Sequence, residues 1–232
     1  MKIIGIISSP RPNGNTAVLV RQALKGAAEG HAEVEEIYLP AFRIDYCKGC
    51  FVCMSEGKCP NHDDFQLLRN KLLAADGIII SSPSYGLAPT ACMKAFLDRI
   101  GMYNAYTSSL GGKYVVSISS AGAMGAKRVA KELAGLVTNG VFKRGYMSGI
   151  LAVSVGHSTT CTDQKAMRRS FLLGQRLADD ITRKNRYPFQ NIAKRILNKL
   201  ILRRVFLQNV IDHKDKTMKA VYINLKEQGY IV

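Results

Sequence analysis

The sequence predicts a doubly wound α/β sheet of five parallel strands with a basic helical extension at the C-terminal end. Short apolar runs rich in β-branched residues, at 2–8 and 77–81, read as strands buried on both faces. Segments of helical periodicity alternate with the strands, which calls for parallel pairing through crossover helices, almost always right-handed. A length of 232 residues at 47% hydrophobic composition suits one sizeable core with additions rather than two full domains.

Taken in order, the first strand is 2–8 and ends in Ser8, Ser9 and Pro10. A helix is predicted at 15–29, where Ala17, Val18, Val20, Ala23, Leu24 and Ala27 fall at helical spacing and Gly30 stands at the expected stop. The second strand is 33–39. After a cysteine-rich segment, Asp63 or Asp64 can cap a helix running through Ala74, and the third strand is 77–81. A helix at 89–99, a strand at 113–119, a helix at 126–137, a fifth strand at 149–155 and a helix at 163–182 complete the series. Residues 1–183 thus form one domain with a cysteine insertion at 46–62, and 184–232 form the extension. Ligands bind outside the carboxyl ends of the strands in such sheets, so the residues just after strands 1, 3 and 4 are where function is expected.

The net charge of +16 favours anionic partners without choosing among them. Nucleic acid, an acidic membrane surface, an acidic electron-transfer protein and nucleotide phosphates all satisfy it. Nucleic acid is disfavoured, because no helix-turn-helix, zinc-finger or aromatic RNA-binding motif accompanies the basic residues. The apolar start Ile3–Ile7 is too short for an export signal, and no apolar run approaches the roughly 18 residues that span a bilayer, so a soluble cytoplasmic chain is expected. Four of the six cysteines crowd between Cys47 and Cys59, which favours metal or redox chemistry over a disulfide framework.

The loop after strand 1, Ser8 to Thr16, is dense in hydroxyls and amides, carries Arg11, and leads into a helix. Such a loop suits a phosphate: a helix start offers unpaired N–H groups and a positive dipole end. It reads equally as a polar turn capped by Asn15 or Thr16. The loop after strand 3, Ser82 to Thr90, is stiffened by two prolines and presents Tyr85 and Gly86, which suits the face of a flat heterocycle or, more plainly, a rigid turn. After strand 4, the small residues Ala121 to Gly125 allow close backbone approach.

These three loops together, and above all SPSYG followed by MKAFLDR, resemble the NADPH-dependent FMN reductase family over about residues 1 to 180; with the cysteines, the chain most resembles its iron-sulfur flavoprotein branch. The resemblance implies a flavodoxin-like fold and an FMN cofactor. It implies that Ser8, Arg11, Asn13, Asn15 and Thr16 cradle the phosphate, that Pro83, Ser84, Tyr85 and Gly86 border the isoalloxazine, and that Ala121 and Gly122 meet its pyrimidine edge. It further implies an oxidoreductase passing electrons from NAD(P)H, or a reduced carrier such as ferredoxin, to an acceptor. A non-enzymatic flavin electron carrier or redox sensor is the alternative, and a flavin-free metal-binding protein is a third.

Cys47, Cys50, Cys53 and Cys59 form CxxCxxC with a fourth cysteine after five residues. Thiolates at this spacing can converge on one centre, and a 4Fe-4S cluster is the leading reading. Free or oxidised thiols come second and zinc third, since structural zinc sites more often use two separated CxxC pairs. His62 reads as an exposed loop residue, and Cys92 and Cys161 as small core residues or bystanders. No side chain is expected to act as nucleophile or general acid, and His31, His157 and His213 receive no catalytic role.

In the extension, Phe189, Ile192, Ala193, Ile196, Leu197 and Leu200 gather on one face of a basic helix. A neighbouring subunit of a homodimer or homotetramer, or the chain's own core, is expected to cover it, with 222–225 as a last short strand. An anionic membrane surface is the rival.

Overall fold

The computed structural model describes residues 1–157 and 163–231. Five parallel strands form one sheet in the order β2-β1-β3-β4-β5. They are β1 (Lys2–Ile7), β2 (Glu33–Tyr38), β3 (Gly77–Ser81), β4 (Tyr114–Ala121) and β5 (Tyr146–Ser154). The two-residue period of a strand sends alternate side chains to opposite layers. Ile4, Ile6, Ile78 and Ile80 pack under α3 (Phe65–Ala74), α4 (Ala91–Thr107) and α5 (Ala126–Thr138). Ile3, Ile7, Ile79 and Val116 pack on the other face, under α1 (Asn15–Glu29) and α6 (Gln164–Thr182). Both faces are therefore covered, as the unbroken apolar runs require. Asp163 caps α6 by accepting hydrogen bonds from the N–H groups of Lys165 and Ala166.

Helices α1 and α6 approach closely because glycine stands at their crossing. A Cβ on Gly174 would sit 1.8 Å from the Ala23 carbonyl oxygen, and one on Gly26 would sit 2.0 Å from that of Phe171. Gly174→Ala is expected to cost about 2 kcal/mol through overpacking, read as a lower midpoint of urea unfolding. An unchanged midpoint would mean that the helices separate freely.

Several expectations are corrected. The helix expected at 89–99 begins at Ala91 and runs on to Thr107, carried by the buried residues Ile100, Tyr103 and Asn104. The fifth strand begins at Tyr146, pairing with Tyr114. Residues 222–225 are not a strand: they lie in α9 (Lys219–Glu227), where Val221 and Leu225, one helical turn apart, are both buried. The helix expected after Pro188 is interrupted, with α7 (Ile192–Leu197) passing through a π turn at Asn198–Leu202 into α8 (Arg203–Asp212). Its apolar stripe is not covered by the chain's own core, for Phe189 is 82% exposed and Leu200 61% exposed.

The extension packs instead through its last two helices. Val210, Val221 and Leu225 form a third apolar cluster with Met54 and Tyr103, which seats the C-terminal end on the short helix α2 (Val52–Glu56) that carries Cys53. Among the described residues, no helix is long and apolar enough to cross a membrane. Cys161 lies outside the described residues.

Candidate functional site

Four loops meet at the carboxyl edge of the sheet. Helix α1 opens at Gly14, which has no side chain to cap the first-turn amides, and a tight turn precedes it. In that turn Gly14 N–H donates to the Arg11 carbonyl (3.0 Å), while Ser9 Oγ accepts from the Arg11 N–H (3.2 Å). Arg21 on α1 braces the turn from outside, donating to the Pro12 carbonyl (2.8 Å) and to Asn13 Oδ1 (3.1 Å) while paired with Glu36. Arg11 itself is exposed and makes no ion pair among the described residues.

The loop after β3 continues the sheet. Ser82 N–H donates to the Ile118 carbonyl and Ser84 N–H to that of Ser120, at 3.2 and 2.7 Å. Tyr85 and Ala88 then exchange backbone hydrogen bonds around Gly86 and Leu87, both at positive φ (55° and 65°). Positive φ at both central positions is the signature of a tight hairpin turn; it leaves Tyr85 49% exposed. The loop after β4 lies against this one at Gly125 (φ 97°), where a Cβ would stand 2.4 Å from Ser84 Oγ.

A cleft of about 140 Å³ opens between these loops, lined by Arg11 and Asn15, by Pro83, Ser84 and Tyr85, and by Ser120, Ala121 and Gly122. Of the residues expected at the site, these seven apart from Ser120 reach the cleft. Ser8, Asn13, Thr16 and Gly86 do not line it. Ser8 is fully buried and donates to the Ser81 carbonyl (2.9 Å), and Thr16 Oγ1 lies 2.7 Å from Ser120 Oγ, so these hydroxyls tie the loops to one another.

Sequence reasoning missed the fourth wall: Val155, Gly156 and His157 also line the cleft. The signal was available, because β5 pairs with β4 as far as Ser154 opposite Ala121, and the next two amides donate to the carbonyls of Ala121 and Gly122 (both 2.9 Å). The carboxyl-edge rule applied to the fifth strand would have found them.

The cleft fits a flavin mononucleotide on its own geometry. Ser84 Oγ is buried with no hydrogen-bond partner among the described residues. Among the described residues, a Cβ on Gly156 would meet nothing within 4 Å, and one on Gly122 only the Gly156 carbonyl oxygen at 3.5 Å. An unsatisfied hydroxyl beside open backbone suits the polar edge of a flat ring.

The cysteine segment builds a second place. Gly49, Phe51 and Gly57, all at positive φ (64°, 58° and 76°), wind the chain around α2. Cys47, Cys50, Cys53 and Cys59 consequently line one cavity together with Arg69, Arg99 and Tyr103. Burial pushes the Cys53 thiol up, and the thiols of Cys59, Cys47 and Cys50 push it further. Arg99 and Asp63 form an ion pair whose side chains are 1% and 0% exposed, and the Phe65 ring lies 4.2 Å from the guanidinium carbon. Burial opposes the charge on Arg99, yet Asp63 and then Cys59 outweigh it and raise its value. Among the described residues, no three His, Cys, Asp or Glu side chains stand so as to hold a metal ion. The donor set nonetheless has the chemistry of an iron-sulfur site: four thiols on one cavity with two cations beside them. Among the described residues, none lines both the cleft and this cavity.

Strand order 2-1-3-4-5 with a cleft at the carboxyl edge defines a flavodoxin-like α/β protein. Residues 1–157 match the NADPH-dependent FMN reductase family. An iron-sulfur flavoprotein of Archaeoglobus fulgidus is 30% identical over 231 residues, covering 100% of both chains. An iron-sulfur flavoprotein of Methanocaldococcus jannaschii is 48% identical over 99 residues, covering 43% of this chain and 51% of that one. Among solved structures, a flavone reductase superposes with a TM-score of 0.64 at 23% identity, covering 78% of this chain and 63% of that one, a likeness of fold. The chain belongs to the NADPH-dependent FMN reductase family, in its iron-sulfur flavoprotein branch. At family level it is an FMN-dependent oxidoreductase.

Proposed function

We propose that FMN binds in the carboxyl-edge cleft, that NAD(P)H or a reduced protein carrier supplies its electrons, and that Cys47, Cys50, Cys53 and Cys59 hold a 4Fe-4S cluster through which they can leave one at a time. The observation that carries this reading is convergence: Arg11 and Asn15, Ser84 and Tyr85, and Ala121 and Gly122 come from three separate loops to one cleft. Arg11 and the first-turn amides of α1 neutralise the phosphate, and Asn15 lines its approach. Ser8, Asn13 and Thr16 belong to the same phosphate loop and keep its shape through their hydrogen bonds. Pro83, Ser84, Tyr85 and Gly86 border the ring, where Ser84 Oγ gains the partner it lacks. Ala121 and Gly122 leave room for the pyrimidine edge.

When bound, FMN supplies two-electron acceptance and one-electron release, and the cluster supplies one-electron transfer. The chain places both groups and tunes their potentials, and none of its side chains is required as a nucleophile. Tyr85 and Met124, 49% and 72% exposed, leave the rim accessible to a donor. The exposed stripe of Phe189, Ile192, Ile196 and Leu200 supports contact between copies in a homodimer or homotetramer, since α8 and α9 already anchor the extension to the protein body.

Anaerobic purification with excess FMN, iron and sulfide tests the reading. A yellow-brown protein with about four irons and four sulfides per flavin is expected, and NAD(P)H or a reduced carrier should bleach the flavin band. A flavin that responds to dithionite alone would overturn the donor assignment, and flavin without iron would overturn the cluster.

A further inference from the structure

We propose that Arg99 is a positioning residue for the cysteine cavity, its Nε–H donating to the sulfur framework that the four cysteines hold and thereby raising its reduction potential. The inference rests on the cluster reading above and concerns a residue outside the cysteine motif.

The guanidinium is divided between two tasks. Its Nη atoms are spent on the protein: both donate to the Asp63 carboxylate, with Nη2 2.9 Å from Oδ1, and Nη1 also reaches the Asp45 carbonyl at 3.2 Å. Phe65 covers one face. Nε remains, buried and without a well-formed hydrogen bond among the described residues, although the Cys59 thiol stands within hydrogen-bonding reach of the guanidinium. An ion pair alone does not explain an orphaned, charge-bearing donor, because an unmade buried hydrogen bond is costly. The same side chain lines the cysteine cavity, and Cys59 is the thiol that acts on it.

An anionic sulfur acceptor inside the cavity would satisfy Nε. Arginine suits this arrangement and lysine does not, because only a planar fork can grip a carboxylate with two nitrogens while offering a third donor elsewhere. Arg69, the other guanidinium on the cavity, donates to the Gly57 carbonyl at 2.8 Å, lies 4.7 Å from the centre of the Tyr103 ring, and has no buried unpartnered donor among the described residues. A hydrogen bond from a fixed cation favours the more negative, reduced state of an iron-sulfur centre and so raises its potential.

The test compares full-length wild-type protein with Arg99→Lys and Asp63→Asn, each loaded anaerobically with iron and sulfide and titrated under electron paramagnetic resonance. Arg99→Lys keeps a cation facing Asp63 but deletes Nε. It should make reduction of the cluster at least tenfold less favourable, a fall of about 59 mV for one electron, while the FMN midpoint stays put. Asp63→Asn keeps Nε and should not lower the midpoint. Should a variant fail to fold, wild-type protein carrying 15N-arginine serves instead: its reduced cluster should show hyperfine coupling to a 15N nucleus. Equal midpoints in wild type and Arg99→Lys, equal falls in both variants, or no 15N coupling would overturn the role of Arg99. Wild-type protein that takes up flavin but no iron or sulfide would overturn the cluster reading itself, a distinguishable result.

Discussion

Asp63→Ala is expected to destabilise the metal-free protein by about 3–5 kcal/mol, because it strands the Arg99 cation at a site from which water is excluded. Replacing both partners with apolar residues, as in Arg99→Met with Asp63→Leu, should recover much of that loss, since the pair's desolvation then disappears with its attraction. The effect also has a defined pH dependence. Burial alone would raise the Asp63 carboxyl, but Arg99 and the backbone N–H groups of Asp45 and Phe65 outweigh it and hold the value below the ordinary carboxylate range. The folded value lies below the unfolded one, so the contribution is complete above about pH 4 and is lost as pH falls through the folded value. Urea unfolding should therefore show a wide gap between wild type and Asp63→Ala at neutral pH that narrows in acid. A gap independent of pH would mean that Asp63 stabilises by packing alone.

Gly122→Leu is expected to weaken FMN binding at least a hundredfold, about 2.7 kcal/mol, while leaving the fold intact. Gly122 is not held at positive φ, and among the described residues a Cβ there meets only the Gly156 carbonyl oxygen at ordinary contact distance, so the backbone accepts a side chain. The rest of a leucine must enter the cleft that Gly122 lines. A fluorescence titration gives the affinity, and thermal unfolding of the flavin-free protein gives the control. Loss of binding with an unchanged flavin-free unfolding midpoint is the expected result, whereas unimpaired binding would place the flavin elsewhere.

Much of the architecture was legible because buried parallel strands write themselves as unbroken apolar runs. Ile3 to Ile7 and Gly77 to Ser81 could be read almost to the residue, and α1 with its limits Asn15 and Glu29 followed from helical spacing. The C-terminal end was less legible for a physical reason. Val221, Tyr222 and Ile223 have strand-like composition, but what decides their state is a distant surface, the α2 helix around Met54, and no local signal names that partner. The site shows the same division. The loops after β1, β3 and β4 announced themselves by composition, whereas Gly156 and His157 carry no such composition and were signalled only by their place after the fifth strand, which the register of β5 on β4 brings to the cleft. Arg99 was read as part of a helix motif; its burial beside Asp63 and four thiols depends on how the cysteine segment folds back at Gly49, Phe51 and Gly57.

Calorimetric titration of the flavin-free protein with FMN, and in parallel with riboflavin, addresses the cleft most directly. One FMN per chain should bind, with riboflavin at least about tenfold weaker for want of the phosphate that Arg11 and the α1 amides neutralise. Equal affinity for the two flavins, or no uptake of FMN, would contradict a phosphate seat at the end of β1.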